Sequence, residues 1–381
     1  MSGKAFWLIP VILASVVLAA TVVAHNPRYT PDGFAYARMA MEDAGLPPAE
    51  ALARAESFYL AQPVGRVARY DIYFRVDAAH APPAAGPIFR TRVLYPWVVS
   101  LLFPWRGLAA LTDVSLVAYV LATVVLYWML LAVARPWLAA TGAVVFAISP
   151  LVVALGESDL TDMLALALWI ATLAGVLHSL QARTTAALAV FGVSALLLAL
   201  TRQALFLPVG AVAGALVGSR VRRDDQDTQT SITLASILGV VAIANLVWHL
   251  LLHGVGIGTS LEITRDLQVK AGAAPADEPI QTWYRRTLIS SLVSEVKRSI
   301  RAVLPVLAVI AAAMNIRRKE TAALIGAACA GFATIFLDAV SWDLQRIVEA
   351  PLYPVVLAAL VMGLEMLLHP GVSAQPSPAA S

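Results

Sequence analysis

Charge is what this chain has least of. Of its 381 residues 60% are hydrophobic and only 13% are Asp, Glu, Lys or Arg, too few to cover the surface of a water-soluble protein of this length. Cysteine is scarcer still. Cys329 stands alone, so no intramolecular disulfide forms and no cysteine signature marks the compartment. The G-x-x-x-x-G-K-[ST] phosphate loop, the H-E-x-x-H zinc helix and the G-x-S-x-G elbow are all missing. ATP-driven transport, zinc proteolysis and α/β-hydrolase chemistry thereby lose their usual sequence support. No self-similar period marks a repeat architecture. The small excess of base, a net charge of +3, is scattered, and without an aromatic-interleaved basic patch no nucleic-acid partner is expected.

What the chain has instead is long charge-free runs. They extend over Ala5–Pro27, Val114–Ala134, Pro136–Gly156, Met163–Ala182, Thr184–Thr201, Gln203–Ser219, Thr228–Leu261, Ala302–Ile316, Thr321–Leu337 and Ala350–Leu364. Each is close to the roughly 20 residues that a helix needs to cross a bilayer. The reading is an all-α polytopic membrane protein of ten spans. Lys4, Arg135, Arg183, the Arg220, Arg222, Arg223 cluster and the Arg317, Arg318, Lys319 cluster fall in alternate short connections. The positive-inside rule places those connections and both termini in the cytoplasm of an inner-membrane protein. Residues 25–113 and 253–301, and the turns at 157–162, 202 and 338–349, then face outward. Lys4 ahead of the first run and Val22-Val23-Ala24 at its end also fit a signal peptide, but the apolar stretch is long for one, and a retained anchor is the preferred reading.

The first outer loop has its own organisation. Gly33–Ala44 and the stretch after Pro47-Pro48 read as short amphipathic helices lying flat at the interface. Residues 80–87 are rich in Ala and Pro, and LYPWVVSLLFPW from Leu94 is apolar but too short to span, which suits an interfacial helix. The 219–230 connection reads as a solvated loop and the 371–381 tail as disordered.

Ionisable residues collect on the outer face. Asp32, in HNPRYTPDGFAYARMA, follows the first span by a few residues with Arg28, Tyr29 and Tyr36 around it. It reads equally as a base for a lipid-borne substrate and as the N-cap of a helix beginning at Gly33. Glu157, Asp159 and Asp162 occupy GESDLTD before the fourth span, where acid also suits a helix N-terminus. Arg202 sits on the face that the positive-inside rule disfavours. An anionic partner would justify it, and a phosphate is the obvious one. Arg346 in SWDLQRIVEAPLYP has Asp343 and Glu349 near enough in sequence for helix-face pairing. Arg90 and Arg92 complete the outer cations. His249 and His253 are four residues apart, the spacing of a shared helix face, but make a weak metal site without a third ligand and read as core or interface residues.

These segments, in this order, resemble the GT-C class of integral-membrane glycosyltransferases. The resemblance rests on an outer-face Asp after the first span (YTPDGFAYARMA), a YPW segment behind Arg90 and Arg92 (RVLYPWVVSLL), an acidic turn (ESDLTDMLALAL), TRQ between later spans, and LQRIVEAPLYP opening the last one. It covers residues 5 to about 368. It implies a catalytic transmembrane domain over 1–370 that moves a sugar, with inversion, from a polyprenyl-phosphate donor to an extracytoplasmic glycan, lipid or protein acceptor. Asp32 would be the base, with Glu157 or Asp159 the second acid. Arg202, Arg346 and Arg92 would hold the donor phosphate, and Tyr36, Tyr95 and Asp162 would contact substrate. Guanidinium groups neutralise a phosphate leaving group directly, so a divalent metal is compatible but not required. Many members carry Asp-Glu where this chain has Asp32-Gly33. The segment 253–301 is either a lid or an interfacial helix. The rival class is a secondary transporter or lipid flippase. Transporters place ionisable groups near the bilayer midplane, whereas here they lie at the span ends. A non-catalytic membrane scaffold is the third alternative.

Overall fold

The computed structural model describes residues 3–25, 27–62, 89, 91–202, 204–252, 274–297, 318–338 and 349–369, with scattered positions between 261 and 315. The described elements are helical. In chain order they are α1 Gly3–Thr21, α2 Pro31–Asp43, α3 Pro48–Leu60, α4 Leu94–Arg106, α5 Ala110–Leu130, α6 Pro136–Ala147 and α7 Pro150–Gly156. Then come α8 Thr161–Ala182, α9 Thr185–Thr201, α10 Phe206–Arg222, α11 Asp225–Leu251, α12 Ile280–Lys297, α13 Lys319–Asp338 and α14 Ala350–Leu368. Among the described residues, strand geometry is confined to one isolated parallel bridge between Arg28 and Ser158.

Five helical stretches are long and apolar enough to cross a membrane: Ala5–His25, Leu94–Leu130, Thr161–Ala182, Asp225–Leu251 and Ala350–Leu368. A sixth arises if α6 and α7 are taken together. The chain is therefore an all-α membrane protein, and among the described residues fewer helices than ten are long and apolar enough to span. Two differences from the sequence reading have clear causes. The segment at Leu94 is not a separate interfacial piece, because one 3-10 turn carries α4 directly into α5. The third expected span is broken, with α6 and α7 bent by 62°. Pro150 donates no amide hydrogen and pushes Ser149 out of the helical region, to ψ 129°. The break leaves the Ala147 carbonyl without its helical partner, and the Tyr119 hydroxyl of α5 donates to it at 2.8 Å.

The core centres on α8, whose Trp169, Ile170, Leu173 and Leu177 are buried against α5 and α9. Trp169 Nε1 donates to the Pro351 carbonyl at 2.9 Å, tying α14 to this centre. α1 packs on α5 and α6 with Val11 and Ala19 in the same core.

A second, smaller core belongs to the first loop. α2, α3 and α4 bury Tyr36, Met41, Tyr59, Tyr95 and Val99 against one another. The amphipathic faces that read as membrane-facing are thus spent on each other, through edge-to-face aromatic contacts such as Tyr36–Tyr95 at 5.5 Å. Leu160, just before α8, closes this core from the bundle side.

At the far end of the bundle the alternate basic connections meet. Arg135 pairs with Glu365 at 3.0 Å. The buried Asp227 draws in Arg183 at 2.9 Å, with Arg222 and Lys319 each at 3.7 Å. The 219–230 connection is accordingly not a solvated loop. Arg223 turns the chain at φ 55° and Asp224 caps α11 by accepting from Asp227 N–H at 2.9 Å. The cations that permit Asp227 to be buried come from three separate segments.

Candidate functional site

At the opposite end, the chain leaving α1 meets the turn between α7 and α8. Arg28 N–H donates to the Glu157 carbonyl at 2.7 Å, and Asp159 N–H donates to the Arg28 carbonyl at 3.1 Å. This pairing fixes Thr30 over Asp159. The Thr30 amide and hydroxyl both donate to Asp159 Oδ1, at 2.9 and 2.8 Å. Tyr59 of α3 donates to Oδ2 at 2.6 Å, the short distance of a hydrogen bond to a charged acceptor. Asp159 is completely buried. Burial pushes its carboxyl up to about 7, although the bonds from Tyr59 and Thr30 pull the other way.

The Thr30 hydroxyl also accepts from Gly33 N–H at 3.0 Å, which makes Thr30 the N-cap of α2, with Pro31 in the first turn. The helix therefore begins at Pro31 and not at Gly33. Asp32 is not its cap. It sits half-buried in the first turn, beside Gly33. A Cβ at Gly33 would collide with the Asp159 carboxylate. Glycine is needed there because α2 crosses directly over that acid, which gives a physical reason for Gly33 following Asp32.

The remaining acids are engaged in pairs. Glu157 is buried and pairs with Arg28 at 2.8 Å. Its pKa is raised by burial, against the opposing pull of Arg28. Asp162, in the first turn of α8, forms a close ion pair with Arg202, which ends α9. The anion that accompanies Arg202 within the protein is therefore a carboxylate. Leu160 occupies the N-cap position of α8, so neither Asp159 nor Asp162 serves as that cap.

Tyr36 and Arg92 flank the same end. Arg92 Nη1 donates to the Tyr36 hydroxyl at 2.9 Å and its guanidinium lies 5.4 Å from the Phe89 ring centroid. The Tyr36 hydroxyl stands 3.4 Å from Thr161 Oγ1, at the start of α8. Tyr95 points inward and donates to the Leu111 carbonyl at 2.7 Å. Its hydroxyl is buried in the small core, so it supports that core and does not face a ligand.

The structure thus brings Asp32, Glu157, Asp159, Asp162, Arg202, Tyr36 and Arg92 to one end. Arg346, Arg90 and His253 lie outside the described residues. Among the described residues no three His, Cys, Asp or Glu side chains gather as a metal site. Sequence reasoning missed Thr30, Gly33 and Tyr59. The T-P-D-G order carried a signal for the first two, since Thr before Pro at a helix start is a capping pattern. Within the 253–301 segment, read as a lid or an interfacial helix, Trp283 of α12 is buried and donates to Gln268 Oε1 at 3.0 Å. Compared with protein-family models, with curated proteins and with solved structures, the chain matches none of them.

Proposed function

We propose that this chain is a membrane glycosyltransferase that moves a sugar from a polyprenyl-phosphate donor to an extracytoplasmic acceptor, with Asp32 as general base. The observation that supports this reading is the convergence just described. Asp32 precedes the glycine that rests on Asp159, and three residues beyond Asp159 lies the acid that holds Arg202. A carboxylate able to take up an acceptor proton and a guanidinium able to meet a departing phosphate are thereby assembled at one end of a membrane bundle, from segments remote in sequence.

In this reading Asp159 is a positioning residue. Three donated hydrogen bonds hold it in place, and through Thr30 and Gly33 it sets where Asp32 stands. Asp162 orients Arg202 towards the phosphate, and Arg346 and Arg92 are further phosphate ligands. The remaining charge-free runs complete a ten-span inner-membrane topology with this end outward. The acidic and basic groups lie at helix ends, which favours transfer over the midplane ion coupling of a secondary transporter.

The test is transfer from a defined polyprenyl-phosphate sugar in membranes that contain Asp32→Asn. Transfer should fall by about 10²–10⁴-fold, as for loss of a general base, while donor binding is kept. Asp43→Asn, on the exposed end of α2, should transfer like wild type. Full activity of Asp32→Asn would remove the mechanism.

A further inference from the structure

The face of α10 that meets α13 carries almost no side chains. Gly210, Gly214 and Gly218 recur along it, and Ala322, Gly326 and Ala330 answer from α13. A Cβ at Gly210 would strike Ala330 and the Gly326 carbonyl, and one at Gly214 the Ala322 carbonyl. The two backbones touch, as small-residue seams allow. Beside the seam runs a groove of about 700 Å³. Val209, Ala213, Val217, Ile325 and Cys329 line it, so its walls are apolar.

Its charged lining comes from one residue. Arg222 closes the far end and lies back over the bare face of Gly218. Its Nη2 is buried without a hydrogen bond, 3.7 Å from Asp227. Asp227 is already shared with Arg183 and Lys319, and Arg220 and Arg223 flank Arg222 in sequence. At this end Arg183, Arg220, Arg222, Arg223, Arg318 and Lys319 outnumber Asp224, Asp225, Asp227 and Glu320, which leaves a small surplus of positive charge at this mouth.

We propose that the α10–α13 groove binds an acidic glycerophospholipid of the surrounding bilayer, with an acyl chain along the groove and the phosphate at Arg222. A phosphate supplies acceptor oxygens to the part-exposed Arg222 guanidinium, whose Nη2 makes no hydrogen bond within the protein. A hydrocarbon chain matches the walls, which apart from Arg222 and Thr321 are built from apolar side chains and glycine. In the ten-span topology proposed above α10 and α13 cross the bilayer, and a basic pocket between such helices at one membrane face is the setting in which acidic headgroups are held. This mouth is at the opposite end of the bundle from Asp32 and Arg202, so the site stands apart from the donor site and does not depend on the proposed transfer.

Cys329, the chain's one cysteine, lines the groove and is exposed, which makes it a native reporter. The full-length protein in neutral detergent is reacted with a maleimide while dioleoyl phosphatidylglycerol or dioleoyl phosphatidylcholine is added, and bound lipid is counted by native mass spectrometry. Phosphatidylglycerol should slow the reaction severalfold and saturably, with one lipid retained, and phosphatidylcholine should do neither. Arg222→Ala should raise the half-protecting concentration roughly tenfold, with Arg222→Lys in between. Ala213→Phe, which places a ring in the groove and leaves Arg222 intact, should abolish retention of the lipid. Equal protection by both lipids, or lipid retained as in wild type by Ala213→Phe, would overturn the site. So would protection by a polyprenyl phosphate where phosphatidylglycerol gives none.

Discussion

Thr30 and Asp159 are 129 residues apart in sequence and joined by two hydrogen bonds, one from the Thr30 amide and one from its hydroxyl. The same hydroxyl accepts from Gly33. One threonine therefore starts α2 and anchors it to the turn before α8, so the position of Asp32 is set by a buried acid on another part of the chain.

Gly33→Ala tests that contact. The added methyl has nowhere to go except into the Asp159 carboxylate, and overpacking of this kind typically costs about 1–3 kcal/mol. The melting temperature should fall by several degrees and, in the proposed transferase, Asp32-dependent transfer should fall with it. A variant as stable and active as wild type would show that α2 does not rest on Asp159.

Asp159 predicts a pH dependence with a definite sign. Its folded pKa, about 7, lies above the ordinary 3.8, so between those values the folded state binds more protons than the unfolded one. Stability from this group is fully present below about pH 4 and is lost as pH rises through about 7, amounting to a few kcal/mol in order of magnitude. Asp159→Asn keeps an acceptor for Thr30 and removes the titration. Melting temperatures measured from pH 4 to 8 should drop across this window in wild type and stay flatter in Asp159→Asn. Parallel profiles would refute the assignment.

Breaking the Asp162–Arg202 pair from one side should be costly, because both side chains are largely buried, at 4% and 18% exposure. Asp162→Ala and Arg202→Ala should each destabilise by about 3 kcal/mol or more, with the double variant costing less than their sum. In the proposed transferase, Arg202→Ala should also weaken polyprenyl-phosphate binding, whereas Arg223→Ala should not. Unchanged donor binding in Arg202→Ala would confine Arg202 to pairing with Asp162.

Sidedness is open to direct chemistry. In a Cys329→Ala background, cysteine at the exposed Ala49 should react with an impermeant maleimide in intact cells, and cysteine at the exposed Gln226 should react only after lysis. The reverse pattern would invert the topology and place the acidic turn in the cytoplasm.

Membrane character was legible because the bilayer imposes a long apolar run that any window detects. Helix continuity was less so. Pro150 was visible, but a run defined by missing charge passes straight through it, and so the α6–α7 break was read as one span. The acidic turn was found because acids are rare enough in this chain to attract attention. Its partners were not found. Tyr59 reaches Asp159 across 100 residues, and a hydrogen bond between distant segments leaves no periodicity. Asp227 was hidden for the same reason, since each of its cations looked like an ordinary boundary residue when read in sequence order.

The bend between α6 and α7 also sets a depth. With α6 upright, its 12 residues climb about 18 Å, and the 7 residues of α7, tilted by 62°, add only about 5 Å. The total falls several ångströms short of a hydrocarbon layer about 30 Å thick. Tyr119 supports the bend, because its hydroxyl donates to the Ala147 carbonyl that the break leaves open. In the proposed transferase, with α6 upright, the Glu157–Asp162 turn would be recessed below the membrane surface, and a lipid-borne donor would reach it by sliding sideways out of the leaflet, with its reactive end already at the right height.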